Sequence, residues 1–282
     1  MKILLGDNQF FGVNHFDLEK GQATKLKFDS PTKIESFIKE SLSIGLDGFM
    51  MNSHQIGYDL LSTADFDENK EIHYSIPYAH KYASMVNENG MLSLLNHVYK
   101  NSSMLENISV GLKLLLTKDI SSITPLAVNL EIPSQLKKGS YIYIQNIMTD
   151  LLIGMGRSDV LIKFIECAVK MGYKPGIITL NPILVDKILL KHQNTEWIRD
   201  LIVCFNINKD GFNVFPSLSI VEKFIKRKAK YKLMGMSIFA SGAANIPSSV
   251  EYIKKLRLDY VVFGSSKIKN ISNNLNLFKN ER

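Results

Sequence analysis

The chain has 282 residues, of which 45% are hydrophobic and 22% charged, a composition that allows a large core and excludes disordered, collagen-like and disulfide-rich classes. No stretch reaches the roughly 18 uninterrupted apolar residues of a membrane span, and the apolar run before Asp7 is too short for a signal-peptide core. Cys167 and Cys204 each lie in an apolar run, which predicts buried free thiols. We therefore expect a cytoplasmic protein without a membrane partner.

The formal net charge of +7 favours anionic ligands. Most of the excess is lysine dispersed over predicted helices. One dense basic run, from Lys226 to Lys232, follows an amphipathic helix, and its one aromatic residue is Tyr231. We interpret this run as a solvated helix face and expect no nucleic-acid partner, because nucleic-acid patches interleave cations with stacking aromatics. The expected partner is a small anionic or phosphorylated molecule.

Eight short apolar runs rich in β-forming residues alternate with segments of helical period, which is typical of parallel strands covered by helices on both faces. The predicted strands are Ile3 to Leu5, Asp47 to Asn52, His73 to Tyr78, Tyr141 to Gln145, Gly176 to Thr179, Leu201 to Phe205, Met236 to Ala240 and Tyr260 to Phe263.

Capping residues mark the helices between these strands. The predicted helices include Thr32 to Ile44, Val160 to Met171, Pro182 to Leu190, Leu218 to Ala229 and Ser248 to Leu256. Eight parallel strands with right-handed crossovers close into a barrel of about this chain length. The sequence therefore predicts one (β/α)8 TIM barrel over residues 1–282, with a doubly wound open sheet as the alternative.

Two further segments bear on this organisation. Pro125 to Ile132, with the sequence PLAVNLEI, also has the composition of a strand, and little chain remains before the next strand for a covering helix. We interpret it as an insertion or an extra edge piece. The charged stretch from Ala64 to Lys70 is predicted to be a surface loop.

Polar residues just after the strands are the candidates for chemistry, because the loops at the C-terminal end of a barrel converge on one rim. This sequence places there Asp7, Asn8, Gln9, His15, Asn52, Ser53, His54, Tyr58, His80, Lys81, Gln145, Asn146, Asp150, Thr179, Asn181, Asn206 and Asn208. Three of the histidines, His15, His54 and His80, could in principle bind zinc or iron. Because no HxH or HxxxH spacing pairs them and carboxylates are few, we expect no metal.

The last two strand-to-helix turns contain small residues, in the sequences FASGA and FGSSK. Small residues let backbone N–H groups approach an oxyanion, hydroxyls add donors, and a helix N-terminus adds partial positive charge. These turns follow strands seven and eight, where barrels often bind a phosphate. The sequence therefore predicts a phosphate or nucleotide site built from Ser241, Gly242, Gly264, Ser265, Ser266 and Lys267.

The stretch from Val262 to Leu275, VFGSSKIKNISNNL, resembles the end of aldo-keto reductases, where a Gly and small residues follow strand eight and a helix contributes contacts to the nucleotide phosphate and adenine. The resemblance implies that Asn270 and Asn274 also face the nucleotide. Upstream, GIITLNPILVDKIL looks like the fifth-strand segment of that family, which implies that Asn181 contacts the nicotinamide amide. NADP is the cofactor implied.

The catalytic tetrad of that family is not intact here. The family uses an Asp and a Tyr after strand two, a Lys after strand three and a His after strand four, with the Lys lowering the pKa of the acidic Tyr. By this resemblance Tyr58 would match the Tyr and Lys81 the Lys. Strand two ends in Asn52 rather than Asp, and Gln145 or Asn146 stands in place of the His.

Three functions remain open at this stage. In an aldo-keto-reductase-like oxidoreductase, Tyr58 would protonate the carbonyl oxygen, Lys81 would tune Tyr58, and Asn52 or His54 would orient the substrate. In a cofactor-free lyase, aldolase or isomerase acting on a sugar phosphate, His54 or Asp7 would be the base and Lys81 the electrophile or Schiff-base amine. The third is a ligand-binding barrel without catalysis.

Overall fold

The computed structural model describes residues 1–12, 18–77, 124–227 and 229–279. Its eight strands are all parallel and pair in sequence order, and the first strand also pairs with the last, which closes the barrel. The strands are β1 Lys2–Leu5, β2 Gly48–Asn52, β3 Glu71–Ile76, β4 Tyr141–Ile144, β5 Lys174–Thr179, β6 Ile202–Asn206, β7 Lys232–Met236 and β8 Tyr260–Phe263. The predicted TIM barrel is confirmed.

Helices cover the outside of this barrel. In the part of the chain that the structure describes they are α1 Leu18–Lys27, α2 Pro31–Ser43, α3 Gln55–Thr63, α4 Thr124–Glu131, α5 Asn146–Gly154, α6 Ser158–Lys170, α7 Pro182–Leu189, α8 Leu218–Lys226, α9 Ile246–Leu256 and α10 Ile268–Lys279. None of the described helices is long and apolar enough to cross a membrane. The segment 64–70 is a loop, as predicted, and the side chain of its Phe66 is buried.

The predicted strand from Pro125 to Ile132 is wrong, because this segment forms helix α4. Its composition suits a strand, yet Leu126 is buried, and Val128 and Ile132 are buried in the layer between strands and helices. Burial of an apolar face against neighbouring elements outweighs the intrinsic β propensity of such a segment. The segment is therefore one of the helices that cover the barrel.

The seventh strand lies four residues earlier than predicted, at Lys232–Met236 rather than Met236 to Ala240. Lys232 pairs with Ile202 of β6, and the positive φ of Ser237, +57°, ends the extended run. Because this strand begins with Lys232, its first residues lack the continuous apolar run that predicts a buried strand. Lys232 is accommodated because its stem lies in the barrel and its ammonium donates to the Tyr141 hydroxyl at 3.2 Å.

Alternate residues of each strand face inward and fill the barrel. The inner cluster comprises Leu4, Met50, Tyr141, Tyr143, Ile178, Ile202, Cys204, Met234, Tyr260 and Val262. A second and larger apolar cluster lies between the strands and the helices. The two cysteines are free and buried, as predicted.

A polar network fills the N-terminal end of the interior. His73 is fully buried, its Nε2 lies 3.3 Å from Glu71 Oε2, and its Nδ1 lies 2.8 Å from the Tyr143 hydroxyl. Because a carboxylate can only accept, Nε2 carries the proton and Tyr143 donates to Nδ1. Burial lowers the pKa of His73, whereas Lys2 and His73 hold the pKa of Glu71 at about 2 against the opposing effect of burial. The ring of His73 stacks on Tyr141 with centroids 4.6 Å apart.

Gly176 on β5 makes room for the ring of Tyr143 in the interior. A Cβ atom at this position would lie 2.2 Å from Cδ1 of Tyr143. Because Tyr143 is fully buried and held by His73, the ring cannot move aside without breaking a buried hydrogen bond. The absence of a side chain at 176 is therefore a condition for the packing of the barrel interior.

Replacing Gly176 with Ala should lower the free energy of unfolding by about 1–3 kcal/mol, the usual cost of overpacking. The matched control is Gly154→Ala at the end of α5, where an added Cβ meets nothing within 4 Å. Urea denaturation followed by circular dichroism measures both variants. Equal stability of the two variants would contradict the proposed packing constraint.

Candidate active site

The candidate site is the C-terminal mouth of the barrel. Four strands end there in polar side chains: Asn52 on β2, Gln145 after β4, Thr179 on β5 and Asn206 on β6. Gln145 Nε2 donates to the Ser75 hydroxyl at 3.3 Å, which ties the ends of β3 and β4 together. The parallel arrangement gathers these groups at one end, as the sequence predicted.

A chain of hydrogen bonds connects the first two strand ends. Asn52 N–H donates to Asp7 Oδ2 at 2.7 Å, and His54 N–H donates to Asn52 Oδ1 at 2.8 Å. His54 caps α3, with Nδ1 accepting the Ile56 N–H at 3.2 Å, and its ring packs 4.6 Å from that of Phe11. Since Nδ1 is an acceptor, the neutral ring carries its proton on Nε2. The structure thus brings together three predicted site residues, Asp7, Asn52 and His54.

The carboxyl group of Asp7 is the perturbed acid of this mouth. Burial raises its pKa to about 6, although the hydrogen bond from Asn52 N–H acts in the opposite direction. A pKa of about 6 leaves roughly one carboxyl in ten protonated at pH 7. Asp7 can therefore give or take a proton near neutral pH, which is what general acid or base catalysis requires.

Tyr58, the predicted general acid, belongs to α3 and is half-buried. It lies close enough to Tyr74 to influence that residue electrostatically, as does Glu131, and burial and these neighbours raise the pKa of Tyr74. Tyr74 packs in the outer layer, between strands and helices. The other predicted member of the pair, Lys81, lies outside the described residues.

A cavity of about 660 Å³ opens where β5 and β6 end, between α5, α7 and the loop after β6. The described residues that line it are Asp150, Ile153, Gly154, Leu180, Asn181, Leu184, Asn206, Asn213, Val214 and Phe215. The sequence indicated Asp150, Asn181 and Asn206 as rim residues but did not indicate the apolar walls. The apolar loop sequence NVFP after β6 was the signal that could have indicated them.

Asn181, which the resemblance assigned to the nicotinamide amide, presents an amide to this cavity. Its Oδ1 is buried and has no hydrogen-bond partner among the described residues. Its backbone is held in place, because Asn181 N–H donates to Thr179 Oγ1 at 2.9 Å and that hydroxyl donates to Asp150 Oδ1 at 2.5 Å. A buried acceptor without a partner is costly, so a ligand N–H or O–H is the expected complement.

The turn after β7 has an unusual backbone. Ser237, Ala240 and Ser241 have φ values of +57°, +44° and +56°, and Gly242 follows at +92°. Left-handed conformations are unfavourable for residues other than Gly, by roughly 1 kcal/mol each. Ser241 and Gly242, both predicted to bind phosphate, thus lie in a strained and partly exposed turn, in which the Gly242 N–H donates to the Phe239 carbonyl at 2.8 Å.

The turn after β8 leads into α10, contains Lys267 and is contacted by Lys27. Lys27, at the end of α1, donates to the Ser266 carbonyl, and Lys267 N–H donates to the Ser265 hydroxyl at 3.3 Å. A Cβ at Gly264 would lie 2.5 Å from Gln9 Oε1, so a larger residue there would displace the side-chain amide of Gln9. The N-terminus of a twelve-residue helix and the ammonium groups of Lys27 and Lys267 give this turn positive potential.

The two asparagines that the resemblance added lie on α10. Asn270 is exposed in the first turn of that helix and Asn274 is buried one turn later. In the part of the chain that the structure describes, no group of three His, Cys, Asp or Glu side chains is placed to hold a metal ion. His15 and His80 lie outside this part, so the three-histidine arrangement is not tested.

Comparison with solved structures finds similar folds. The chain resembles aldo-keto reductases in fold. An aldo-keto reductase of Bacillus halodurans, in its holo form, superimposes with a TM-score of 0.57 at 9% identity, covering 99% of this chain and 87% of that chain. An aldose reductase of Giardia lamblia gives 0.51 at 10% identity, with 100% and 88% covered. A protein of Pseudomonas aeruginosa with a provisional aldo-keto reductase assignment gives 0.53 at 12% identity, with 98% and 88% covered.

The sequence comparisons add no relative. No protein-family model matches the chain, and no curated protein matches it. The likeness is thus one of fold at 9–12% identity, and the roles of individual residues rest on the geometry of this chain.

Replacing Asp7 with Asn should stabilise the protein at pH 8. Because burial raises the folded-state pKa of Asp7 to about 6, the carboxyl does not lower the free energy of unfolding below about pH 4, where it is protonated in both states, and lowers it increasingly as the pH rises through 6. The neutral amide of Asn removes this loss of stability. The gain is about 1–2 kcal/mol at pH 8, after allowance for partial exposure, and smaller at pH 5. Urea denaturation at both pH values measures this. Asp210→Asn, on an exposed loop, is the control, and a less stable Asp7→Asn variant at pH 8 would oppose the assignment.

Proposed function

We propose that this barrel is an oxidoreductase that binds a nicotinamide nucleotide, NADP in the first instance, at its C-terminal mouth and interconverts a small carbonyl compound and its alcohol. The observation that carries the proposal is the buried, unpartnered amide oxygen of Asn181 at the end of β5. A nicotinamide carboxamide supplies the N–H donor that this oxygen needs. The fold likeness to aldo-keto reductases supports the same assignment.

The turns after β7 and β8 fit the anionic part of such a cofactor. Ser241, Ser265 and Ser266 would provide hydroxyl donors, Gly242 would let a phosphate approach the backbone closely, and Lys267 would provide positive charge. Lys27, which reaches this turn from α1, adds a second cation that the sequence did not indicate. When bound, the nicotinamide ring supplies or accepts a hydride.

Asp7 is the group that would handle the proton. In reduction its protonated carboxyl would donate to the carbonyl oxygen, and in oxidation its carboxylate would accept the proton of the alcohol. The Asn52 N–H holds Asp7 in place, and the Asn52 side chain positions His54. The Nε2–H of His54 would be a second donor at the mouth. This assignment replaces the tyrosine and lysine of the resembled family with a buried carboxyl group.

The anion site can be tested with Ser266→Asp, which places a carboxylate against the cofactor phosphates. Affinity for NADPH, measured by the fluorescence of the bound nucleotide, should fall at least tenfold because like charges repel at short range. Asn276→Asp introduces the same charge on the exposed face of α10, two turns further along, and should leave affinity within about twofold. Equal affinities of both variants and the parent would remove the phosphate assignment.

The proton donor can be tested by comparing Asp7→Asn with Tyr58→Phe. If Asp7 is the acid, Asp7→Asn should lower kcat for carbonyl reduction by about 100 to 10,000-fold, whereas Tyr58→Phe should change it little. The parent rate should fall as the pH rises above about 6, where the donor loses its proton. A large loss in Tyr58→Phe with a normal rate in Asp7→Asn would return the role of acid to Tyr58.

The competing function is a cofactor-free lyase, aldolase or isomerase acting on a sugar phosphate. The observation in its favour is the same Asp7 carboxyl, which with His54 could abstract a proton, combined with the two cations at the β8 turn. A thermal-shift panel separates the two, because a ligand at about 100 times its Kd stabilises a protein by about 2.7 kcal/mol. Stabilisation by sugar phosphates but not by NADP or NAD would favour the competing function, and stabilisation by neither would favour a barrel without catalysis.

A further inference from the structure

The polar network at the N-terminal end of the barrel lies opposite the mouth, away from the proposed site. At its centre is His73 on β3, which is fully buried. The neutral ring uses both of its nitrogens, because Nε2–H donates to Glu71 Oε2 at 3.3 Å and Nδ1 accepts the Tyr143 hydroxyl at 2.8 Å. His73 therefore connects β3 to β4 inside the barrel, and it can do so in this way only while Nδ1 carries no proton.

Charged and titratable side chains surround His73 and its partner Tyr143. Among the described residues they are Lys2 on β1, Glu71 on β3, Tyr141 on β4, Lys174 on β5, Cys204 on β6, Lys232 on β7 and Tyr260 on β8, with Asp200 paired to Lys232 from the loop before β6. The ammonium groups of Lys174 and Lys232 lie 5.3 and 5.8 Å from the centre of the Tyr141 ring, on which His73 stacks. Lys2 binds the Glu71 carboxylate at 2.6 Å. The neutral ring is thus surrounded by three ammonium groups and two carboxylates.

A proton on Nδ1 of His73 would remove the acceptor of the Tyr143 hydroxyl. Tyr143 is fully buried, and within the described residues its only side-chain hydrogen bond is the one to His73. A buried hydroxyl without an acceptor is unfavourable, and so is a further positive charge near Lys2 and Lys174. Burial lowers the pKa of His73; Glu71 opposes this effect, whereas Lys2 and Lys174 add to it.

The pairing of β3 with β4 continues from this network to the mouth. In the register of the two strands His73 lies opposite Tyr141, and Ser75 lies opposite Tyr143. Two residues after Tyr143, and therefore on the same face of β4, Gln145 donates to the Ser75 hydroxyl at 3.3 Å. The bonds His73–Tyr143 and Ser75–Gln145 thus connect the same two strands at successive levels of the barrel interior.

We infer that His73 is a pH-sensitive switch for the pairing of β3 with β4: the neutral ring holds Tyr143, and protonation of Nδ1 releases Tyr143 and loosens the pairing beneath the mouth. Because the folded protein favours the neutral ring, this stabilisation is complete above pH 6.5, the ordinary pKa of histidine, and is lost as the pH falls below it. The switch does not depend on the proposed reaction, since neither His73 nor Tyr143 lies at the mouth.

Urea denaturation at pH 7.5 and 5.5 tests the switch, with Asp7→Asn as the starting protein because Asp7 titrates in the same range. On acidification the equilibrium constant of unfolding should rise several-fold, and at most about tenfold, because the unfolded chain binds one more proton than the folded chain. Adding His73→Gln, which does not titrate and can still donate to Glu71, should reduce the rise to less than about twofold. Adding His192→Gln, at a histidine that follows α7 outside the barrel, should leave it unchanged.

Measurements on the parent protein keep the switch testable if His73→Gln does not fold. Nitrogen NMR of the histidine rings should show His73 neutral at pH 7.5, with its proton on Nε2. On acidification, hydrogen exchange should show loss of protection at the amides of β3 and β4 before those of β7 and β8. Tyr143→Phe removes the hydroxyl that favours the neutral ring, so the titration of His73 should move toward pH 6.5.

Three results would overturn the switch. The first is a His73 ring that is charged at pH 7.5. The second is a rise in the unfolding constant that persists in His73→Gln, because another group would then bind the proton. The third is an equal loss of protection in all eight strands, which would show that acid unfolds the barrel as a whole without first loosening β3 and β4.

Discussion

Closure of the barrel between β1 and β8 is the constraint on which the site depends. Lys2 pairs with Tyr260 and Leu5 with Phe263, so the first strand is held to the last along its whole length. This pairing places the residues after β1 beside the turn after β8. Asp7, which receives the Asn52 N–H from the other side, is therefore fixed by both neighbouring strands, and Gly6 N–H donates to the Phe263 carbonyl at 2.9 Å. A rigid rim is what general acid catalysis needs.

The mouth is divided into three chemically different sectors. The β1 and β2 ends hold the titratable group, the β8 turn holds the N-terminus of α10 and two lysines, and the β5 and β6 ends hold apolar walls around one amide. Burial raises the pKa of Asp7, a helix N-terminus favours anions, and the described cavity walls, which contain no cation, favour neutral ligands. Under the proposed function, an anionic cofactor and a carbonyl compound would use all three sectors.

Sequence patterns predicted the barrel because parallel strands buried on both faces have continuous apolar runs, a signal that survives errors in single elements. Strand β7 was misplaced since it begins with Lys232, and α4 was missed since its Leu and Val residues suit a strand equally well. For the site, strand ends indicated the rim residues. The walls of the cavity depend on contacts between distant segments, such as α5 with the loop after β6, which periodicity does not encode.

Strain in the turn after β7 bears on how stability and function are balanced. Three residues other than Gly, Ser237, Ala240 and Ser241, adopt left-handed backbone conformations within five positions. Glycine at these positions would relieve strain of roughly 1 kcal/mol each, yet it would remove the hydroxyls of the two serines and loosen the turn. The ionised Asp7 carboxyl is unfavourable for folding in the same way at neutral pH. The strained turn after β7 and the buried Asp7 carboxyl, both of which lower the stability of the folded state, lie at the mouth. Strain and desolvation of this kind are typical of sites that bind ligands or transfer protons.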